Sequence, residues 1–110
     1  MELLRTRVLK GDPPVLKVEG EIDLSTAEQL RVALEEAQAG DPTLAVDMSG
    51  VTFFDAAGLR VVLQVAAGRN GAGPLTIVGA PPRVRWVLDL VGLGDVSSLD
   101  IRDAGQVRDG

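Results

Sequence analysis

Turn and helix signals divide this sequence into short segments, and the order of those segments restricts the fold. Two short strand-like segments, Leu4–Leu9 and Val15–Val18, flank a Gly-Asp-Pro-Pro turn and predict an antiparallel hairpin. Helical and strand patterns then alternate along the rest of the chain. Strands that are separated by helices pair in parallel through crossovers. The order β-β-α-β-α-β-α, with a candidate last strand, therefore predicts an α/β fold with a mixed four- to five-stranded sheet packed with helices.

Three segments have the features of helices. Ser25 is a suitable N-cap and Glu28 completes a capping box, so the first helix is predicted to start near Ser25. Gly40 is predicted to end it as a left-handed cap. The second helix is predicted to start near Ala56 and the third near Pro82. Apolar residues at helical spacing define the predicted inward face of each helix. These residues are Ala27, Leu30, Leu34 and Ala37 in the first helix, Leu59, Val62, Leu63 and Ala66 in the second, and Val84, Val87, Leu88 and Val91 in the third.

Three further segments are predicted strands. Thr43–Met48 is the expected central strand, with Leu44, Val46 and Met48 in it, and a loop is expected over residues 49–55. Leu75–Val78 reads as a buried strand, and Val96–Ile101 is the candidate last edge strand. Residues 1–102 are then one domain, and the polar residues 103–110 are an expected frayed tail.

Composition excludes several classes of function. The 110 residues include no cysteine and no histidine, which removes thiol chemistry, the commonest general base and the commonest metal ligand. The formal net charge of −5 repels a phosphate backbone on average. The apolar runs are too short for a membrane span, and the start of the chain lacks a signal-peptide pattern. These features predict a cytoplasmic binding protein that is not an enzyme, needs no cofactor, binds no nucleic acid and does not insert into a membrane.

Four short segments occur in the order that is typical of one known family. They are Gly20-Glu21-Ile22-Asp23, Val46-Asp47-Met48-Ser49-Gly50-Val51, Phe54-Asp55-Ala56-Ala57-Gly58-Leu59, and Pro82-Arg83-Val84 with Leu90-Val91-Gly92-Leu93. With these segments the chain resembles a STAS domain, the family of bacterial anti-sigma factor antagonists and of the cytosolic tails of sulfate transporters. The resemblance covers nearly the full length. It implies a STAS-like fold and a function in transcription regulation by partner switching.

The resemblance also bears on phosphorylation. In the antagonists that this chain resembles, an Asp-Ser-Ser-Gly loop opens the second helix, and an anti-sigma factor of the serine-kinase type phosphorylates the second serine. Phosphorylation breaks the complex, and a phosphatase restores it. Here Ala56 and Ala57 stand at the two serine positions, and neither has a hydroxyl. The chain thus resembles an antagonist without the usual phosphoacceptor. A natural non-switching member and an engineered chain both fit these residues, and Ser49 and Thr52 remain as nearby hydroxyls.

The same resemblance implies a partner-binding surface, which comprises Asp23, Thr52, Asp55, Ala57, Leu59 and Arg60. Read from local chemistry alone, Asp55 is an N-cap and Asp23 a turn or cap residue before the first helix. Asp47 is expected to have a structural role near the end of its strand and not to bind a metal ion, because a lone carboxylate is a poor metal site. One residue of the pair Phe53 and Phe54 must point inward. Trp86 is expected at the periphery of the core.

Three alternatives remain at this point. The chain could be a STAS subunit of a transporter or of a larger signalling assembly. A receiver-type phosphoacceptor domain needs a lysine after its fifth strand, whereas the only lysines are Lys10 and Lys17. An enzyme that uses Asp23, Asp47 and Asp55 as acid–base groups would lack histidine, cysteine and a Gly-rich phosphate loop. The residues favour neither a nucleotide ligand nor a particular oligomeric state.

Overall fold

A computed structural model describes residues 3–69, 71–90 and 99–103. The elements follow the predicted order, with five strands and three helices. The strands are β1 (Leu4–Leu9), β2 (Val15–Ile22), β3 (Ala45–Phe54), β4 (Leu75–Val78) and β5 (Leu99–Arg102). The helices are α1 (Ala27–Gly40), α2 (Ala56–Ala67) and α3 (Pro82–Asp89).

The strands form one mixed sheet in the order β1-β2-β3-β4-β5. β1 and β2 are antiparallel, and every later pair is parallel. The predicted hairpin, the mixed sheet and the central position of the strand that contains Val46 are therefore confirmed. The carboxyl ends of β2 and β3 lie at one edge of the sheet, where the connections to α1 and α2 begin.

The main hydrophobic core lies on one face of the sheet. Strand register places Leu16, Val46 and Ile77 in one row, and all three are buried. The buried residues of the helices join this core, including Leu30 and Leu34 from α1, Val62 and Val65 from α2, and Val84 and Leu88 from α3. Alternate strand residues such as Lys17 and Asp47 point to the opposite face, because successive side chains of a strand alternate. Among the described residues, the helices therefore pack on a single face.

The third strand is longer than the sequence predicted. Residues 49–55 were expected to form a loop, but β3 continues to Phe54. Val51 and Phe54 are buried, so their burial favours the extension. The register of β2 against β3 shifts on both sides of Gly20, whose φ of 108° lies in the left-handed region. Such irregularities let a strand continue past residues that locally resemble a turn.

The predicted capping box at the start of α1 is wrong. The helix begins at Ala27 with Thr26 as N-cap, and Thr26 makes no side-chain cap bond. Ser25 is instead bound by Asp23, and Arg31 Nε donates to the Glu28 carboxylate at 2.8 Å. Because both members of the predicted box have nearer partners, the box does not form.

Other boundaries and burial predictions gave mixed results. Gly40 is the last residue of α1 and not a left-handed cap. In α2, Val61 and Val65 are buried while Leu59 and Leu63 are half-buried, so the inward face is rotated from the predicted one. Trp86 is 65% exposed, so the prediction of peripheral core is wrong. The start of α3 at Pro82 and the β4 strand are confirmed. Val91, residues 96–98 and the tail from 104 lie outside the described residues.

A close contact at Gly58 brings the start of α2 against the ends of two strands. A Cβ atom at Gly58 would lie 2.5 Å from Ile22 Cγ2 and 2.8 Å from Phe54 Cε1. Real Cβ atoms do not approach carbon this closely, so only glycine allows the helix to sit here. This packing fixes the height of the first turn of α2 above the sheet edge.

We expect Gly58→Ala to destabilise the protein. The added methyl group overpacks the contact with Ile22 and Phe54, at a cost of about 1–3 kcal/mol, and alanine's better helix propensity recovers only about 1 kcal/mol of this. Urea unfolding measures the difference. The matched control is Gly40→Ala in α1, where nothing lies within 4 Å of an added Cβ and stability should not fall. Equal stability of the two variants would contradict the proposed tight contact.

Candidate functional site

Two acidic loops meet at the carboxyl edge of the parallel strands. Ile22 and Phe54 are register partners at the ends of β2 and β3. Asp23 and Asp55 follow them directly, and each begins the connection to a helix. In open α/β sheets this edge is the usual place for binding, because several loops converge there.

Asp55 holds the first turn of α2. Its backbone is extended, and its Oδ1 accepts hydrogen bonds from the N–H groups of Ala57 at 2.9 Å and Gly58 at 3.4 Å. The N–H of Leu59 donates to the Asp55 carbonyl at 3.0 Å. A carboxylate at this position satisfies N–H groups that have no partner within the helix. The interpretation of Asp55 as an N-cap is thereby confirmed.

Asp23 organises the loop before α1 in a similar way. Its Oδ1 accepts from the Ser25 N–H at 2.9 Å, the Ser25 hydroxyl at 2.6 Å and the Thr26 N–H at 3.3 Å. Mainly through the bond from the Ser25 hydroxyl, the pKa of Asp23 lies below its ordinary value of 3.8. The buried Thr26 hydroxyl accepts from the Asp23 N–H and donates to the Glu21 carbonyl. The loop is therefore held by both side-chain and backbone groups, and Asp23 is a turn residue as interpreted from the sequence.

The predicted partner-binding residues differ in exposure. Thr52 and Arg60 are exposed, while Asp23, Asp55, Ala57 and Leu59 are half-buried. Residues 55–60 are consecutive at the start of α2, and strand pairing brings Asp23 beside them. Thr52 lies on β3 just before the sheet edge. Their arrangement forms an exposed edge whose acidic side chains already bind backbone groups.

Two exposed apolar side chains at the same edge were not among the predicted site residues. Leu24 is 85% exposed and follows Asp23, and Phe53 is 45% exposed and pairs with Glu21 across the strands. The alternation between Phe53 and the buried Phe54 was the available signal for one of them. Leu24 had no such signal, because a single leucine in a loop is compatible with either burial or exposure. Apolar groups among polar ones suit contact with another protein surface.

The described residues form no cluster that is suited to a metal ion. In residues 3–69, 71–90 and 99–103, no group of three acidic, histidine or cysteine side chains is arranged to hold a metal ion. A groove of about 350 Å³ lies at the opposite edge, where Thr43, Ala45 and Thr76 mark the starts of the parallel strands. Within the described part of the chain, no helix has the length and apolar character needed to cross a membrane.

Comparison with known proteins identifies the family. The profile of the family described as "Mlab, STAS domain" matches residues 6–103 of this chain. The chain belongs to the STAS domain family. The match includes all five strands except the first two residues of β1, and it extends through the candidate site. The resemblance that the four sequence segments indicated is therefore confirmed.

Relatives of this STAS domain are named as anti-sigma factor antagonists. The anti-sigma-F factor antagonist RsfB of Mycobacterium tuberculosis is 34% identical over 80 residues, which are 72% of this chain and 66% of the relative, just under two thirds of its length. A crystal structure of an anti-sigma factor antagonist from Mycobacterium paratuberculosis is 30% identical, with a TM-score of 0.75 over 87% of this chain and 84% of the other.

More distant structures share the fold of this STAS domain. The anti-sigma factor antagonist SpoIIAA in its unphosphorylated form is 23% identical, with a TM-score of 0.70 over 93% of this chain and 90% of that one. The Bacillus cell fate determinant SpoIIAA in the phosphorylated form is 24% identical, with a TM-score of 0.65 over 94% and 92% of the two chains. The predicted STAS-like fold is confirmed.

We expect Ser25→Ala to raise the pKa of Asp23 toward its ordinary value, because the variant removes the hydrogen bond that contributes most to the depression. When folding lowers the pKa of a carboxyl group, ionisation of that group stabilises the folded state at pH values above the unfolded-state pKa. This stabilisation is lost as the pH falls through the folded-state pKa. The stability difference between parent and variant should therefore be larger at neutral pH than in strong acid. Carboxyl NMR titration and thermal unfolding at both pH values measure these effects. An unchanged Asp23 pKa would show that the Ser25 hydroxyl is not the main cause.

Proposed function

We propose that this STAS domain is an anti-sigma factor antagonist-like protein that regulates transcription by partner switching. Its partner is an anti-sigma factor of the serine-kinase type or another signalling protein, and it is not an enzyme. The partner surface centres on Asp23, Thr52, Asp55, Ala57, Leu59 and Arg60. One observation chiefly supports this proposal. Two loops capped by carboxylates, at Asp23 and Asp55, lie side by side at an exposed sheet edge in a chain similar to named antagonists.

The rigidity of this edge suits protein binding. Asp23 and Asp55 each accept at least two backbone hydrogen bonds, so the loops are ordered before a partner arrives. A preordered surface loses less conformational entropy on binding. The exposed side chains of Leu24 and Phe53 add apolar area, and Arg60 adds an exposed charge at the side. Such a mixture of apolar and polar groups is typical of protein interfaces.

Ala57 determines how this proposed surface is regulated. Its backbone N–H is bound by Asp55, and its side chain is a methyl group with no acceptor for phosphate. Phosphorylation elsewhere in the family adds about −1.5 to −2 charge at neutral pH. At Ala57 this cannot occur, so residue 57 stays neutral, as it is in an unphosphorylated antagonist. Binding is then controlled by the amounts of the partners and not by modification of residue 57.

A second candidate function is a STAS subunit that stays in a transporter or another larger assembly. Ala57 also favours this second function, because a permanently docked subunit needs no phosphoacceptor at residue 57. The two candidates differ in the lifetime of the complex. A switching antagonist exchanges between partners on addition of a competitor, whereas a structural subunit co-purifies as a stable complex through size exclusion.

We expect Ala57→Asp to weaken binding to the anti-sigma factor of the source organism at least tenfold. An unpaired charge buried in an interface costs about 2–5 kcal/mol. The same substitution should change folding stability by less than about 1 kcal/mol, because a negative charge is tolerated at a helix N-terminus. Calorimetry with the purified partner and thermal unfolding measure the two quantities.

The control for this experiment is Ala57→Ser, which is nearly isosteric and neutral and should bind as the parent does. Unchanged affinity of the aspartate variant would contradict the placement of the surface. Phosphate found by mass spectrometry on Ser49 or Thr52 of the native protein would show that the switch has moved.

A separate test uses Arg60→Glu, which reverses an exposed charge at the side of the proposed surface. Affinity for the anti-sigma factor should fall several-fold, mainly through slower association, and stability should stay within about 0.5 kcal/mol. Arg83→Glu on α3 is the matched control, because Arg83 is also exposed and lies outside the proposed surface. Asp23 is less suitable for this test because its carboxylate accepts three hydrogen bonds. Equal effects of Arg60→Glu and Arg83→Glu would indicate a general charge effect and not a local contact.

A further inference from the structure

Positive charge is concentrated in the β1–β2 hairpin of an acidic protein. Residues 4–22 contain four of the eleven basic residues, including both lysines, but only three of the sixteen acidic residues. The chain as a whole has a formal net charge of −5. The hairpin therefore differs in sign from the rest of the molecule, and such asymmetry can direct association with a charged partner.

The strand register places two of these cations opposite each other. Arg7 on β1 is the partner of Lys17 on β2, so both side chains point to the same face. Like charges at directly opposed positions destabilise a sheet. Neither cation forms an ion pair with the described residues, whereas the nearby Arg5 lies 3.8 Å from Glu19. The protein thus keeps an unfavourable pair of charges in a place where one acidic residue would stabilise it.

The acidic residue beside Lys17 on the neighbouring strand β3 does not remove this repulsion. Asp47 on β3 is the register partner of Lys17. Its Oδ1 accepts the backbone N–H of Ser49 at 2.8 Å, and the structure shows no ion pair between Asp47 and Lys17. The two cations accordingly remain available to an external anionic group.

Apolar residues adjoin the two cations. Leu9 and Val15 are register partners next to Arg7 and Lys17, and they lie on the same face because they are two residues away along each strand. Leu9 is 40% exposed and Val15 is half-buried. No described helix packs on this face. We call these four residues, Arg7, Leu9, Val15 and Lys17, the hairpin face.

The hairpin face is separate from the proposed partner surface. Lys17 precedes Asp23 by six residues along β2, which corresponds to about 20 Å at the rise of an extended strand. The two surfaces therefore share no residue.

We propose that the hairpin face binds an acidic segment of a protein partner, one that carries apolar side chains among its carboxylates. Arg7 and Lys17 match the carboxylates, and Leu9 and Val15 match the apolar groups. A long polyanion such as a nucleic acid fits less well, because the rest of the protein surface is acidic and repels it. This proposal does not depend on the identity of the partner at the sheet edge.

The test uses the full chain and a fluorescein-labelled peptide of alternating glutamate and leucine, with binding followed by fluorescence anisotropy. We expect saturable binding that weakens as salt is added. Arg7→Glu should lower the affinity at least tenfold, or about 1.4 kcal/mol. Arg83→Glu changes the net charge by the same amount elsewhere and should have less than about a twofold effect. No binding by the parent, or equal losses in the two variants, would overturn the proposal.

Two further measurements complete the test. Arg7→Glu should unfold at a higher temperature than the parent, because it places a carboxylate opposite Lys17. A lower unfolding temperature would show that the opposed cations are not a cost to the fold. Phosphatidylglycerol vesicles and a single-stranded oligonucleotide serve as competing probes. If either binds more tightly than the peptide and loses that binding in Arg7→Glu, the face recognises that anion and the proposal of an acidic protein segment is overturned.

Discussion

The close approach of α2 to the ends of β2 and β3 at Gly58 determines the geometry of the carboxyl edge. The helix starts directly above Ile22 and Phe54 because residue 58 has no side chain. Asp55 can then cap the helix from the end of β3, and the loop at Asp23 lies beside it. A helix displaced outward by one methyl group would change the position of every group in the first turn relative to the Asp23 loop.

The two aspartates at this edge illustrate how a structural role and a binding role can coincide. The carboxylates of Asp23 and Asp55 accept hydrogen bonds from backbone N–H groups, and these bonds fix the loops that carry the exposed side chains. Each carboxylate has further lone pairs that can face a partner. Replacement of either residue would therefore change both the shape and the charge of the edge, and only a variant such as asparagine, which keeps an acceptor, could separate the two effects.

The sequence predicted those parts of the fold that depend on local chemistry. The bounds of β4 were correct because Pro74 and Gly79 flank a short apolar run, and the turn that follows β1 was indicated by its glycine and prolines. The N-cap at Asp55 was predicted because capping is local. The extension of β3 through Ser49 and Gly50 was missed because pairing with β2 outweighs their turn preference. The capping box at Ser25 failed for a different reason, since Asp23 and Arg31, two and three residues away from the members of the box, are competing local partners. The site residues followed from family resemblance, and the exposure of Leu24 could not be inferred from its neighbours.

Packing on a single face of the sheet has a consequence for how such domains diverge. The core beneath the helices takes strand residues such as Leu16, Val46 and Ile77, which are constrained by volume, whereas exposed strand residues of the opposite face such as Arg7 and Leu9 are not. Substitutions can accumulate at such exposed positions without disturbing the fold. The TM-score of 0.75 at 30% identity to a solved antagonist illustrates how much sequence change the fold tolerates. An exposed surface on the helix-free face can in this way change while the carboxyl edge of the sheet keeps its geometry.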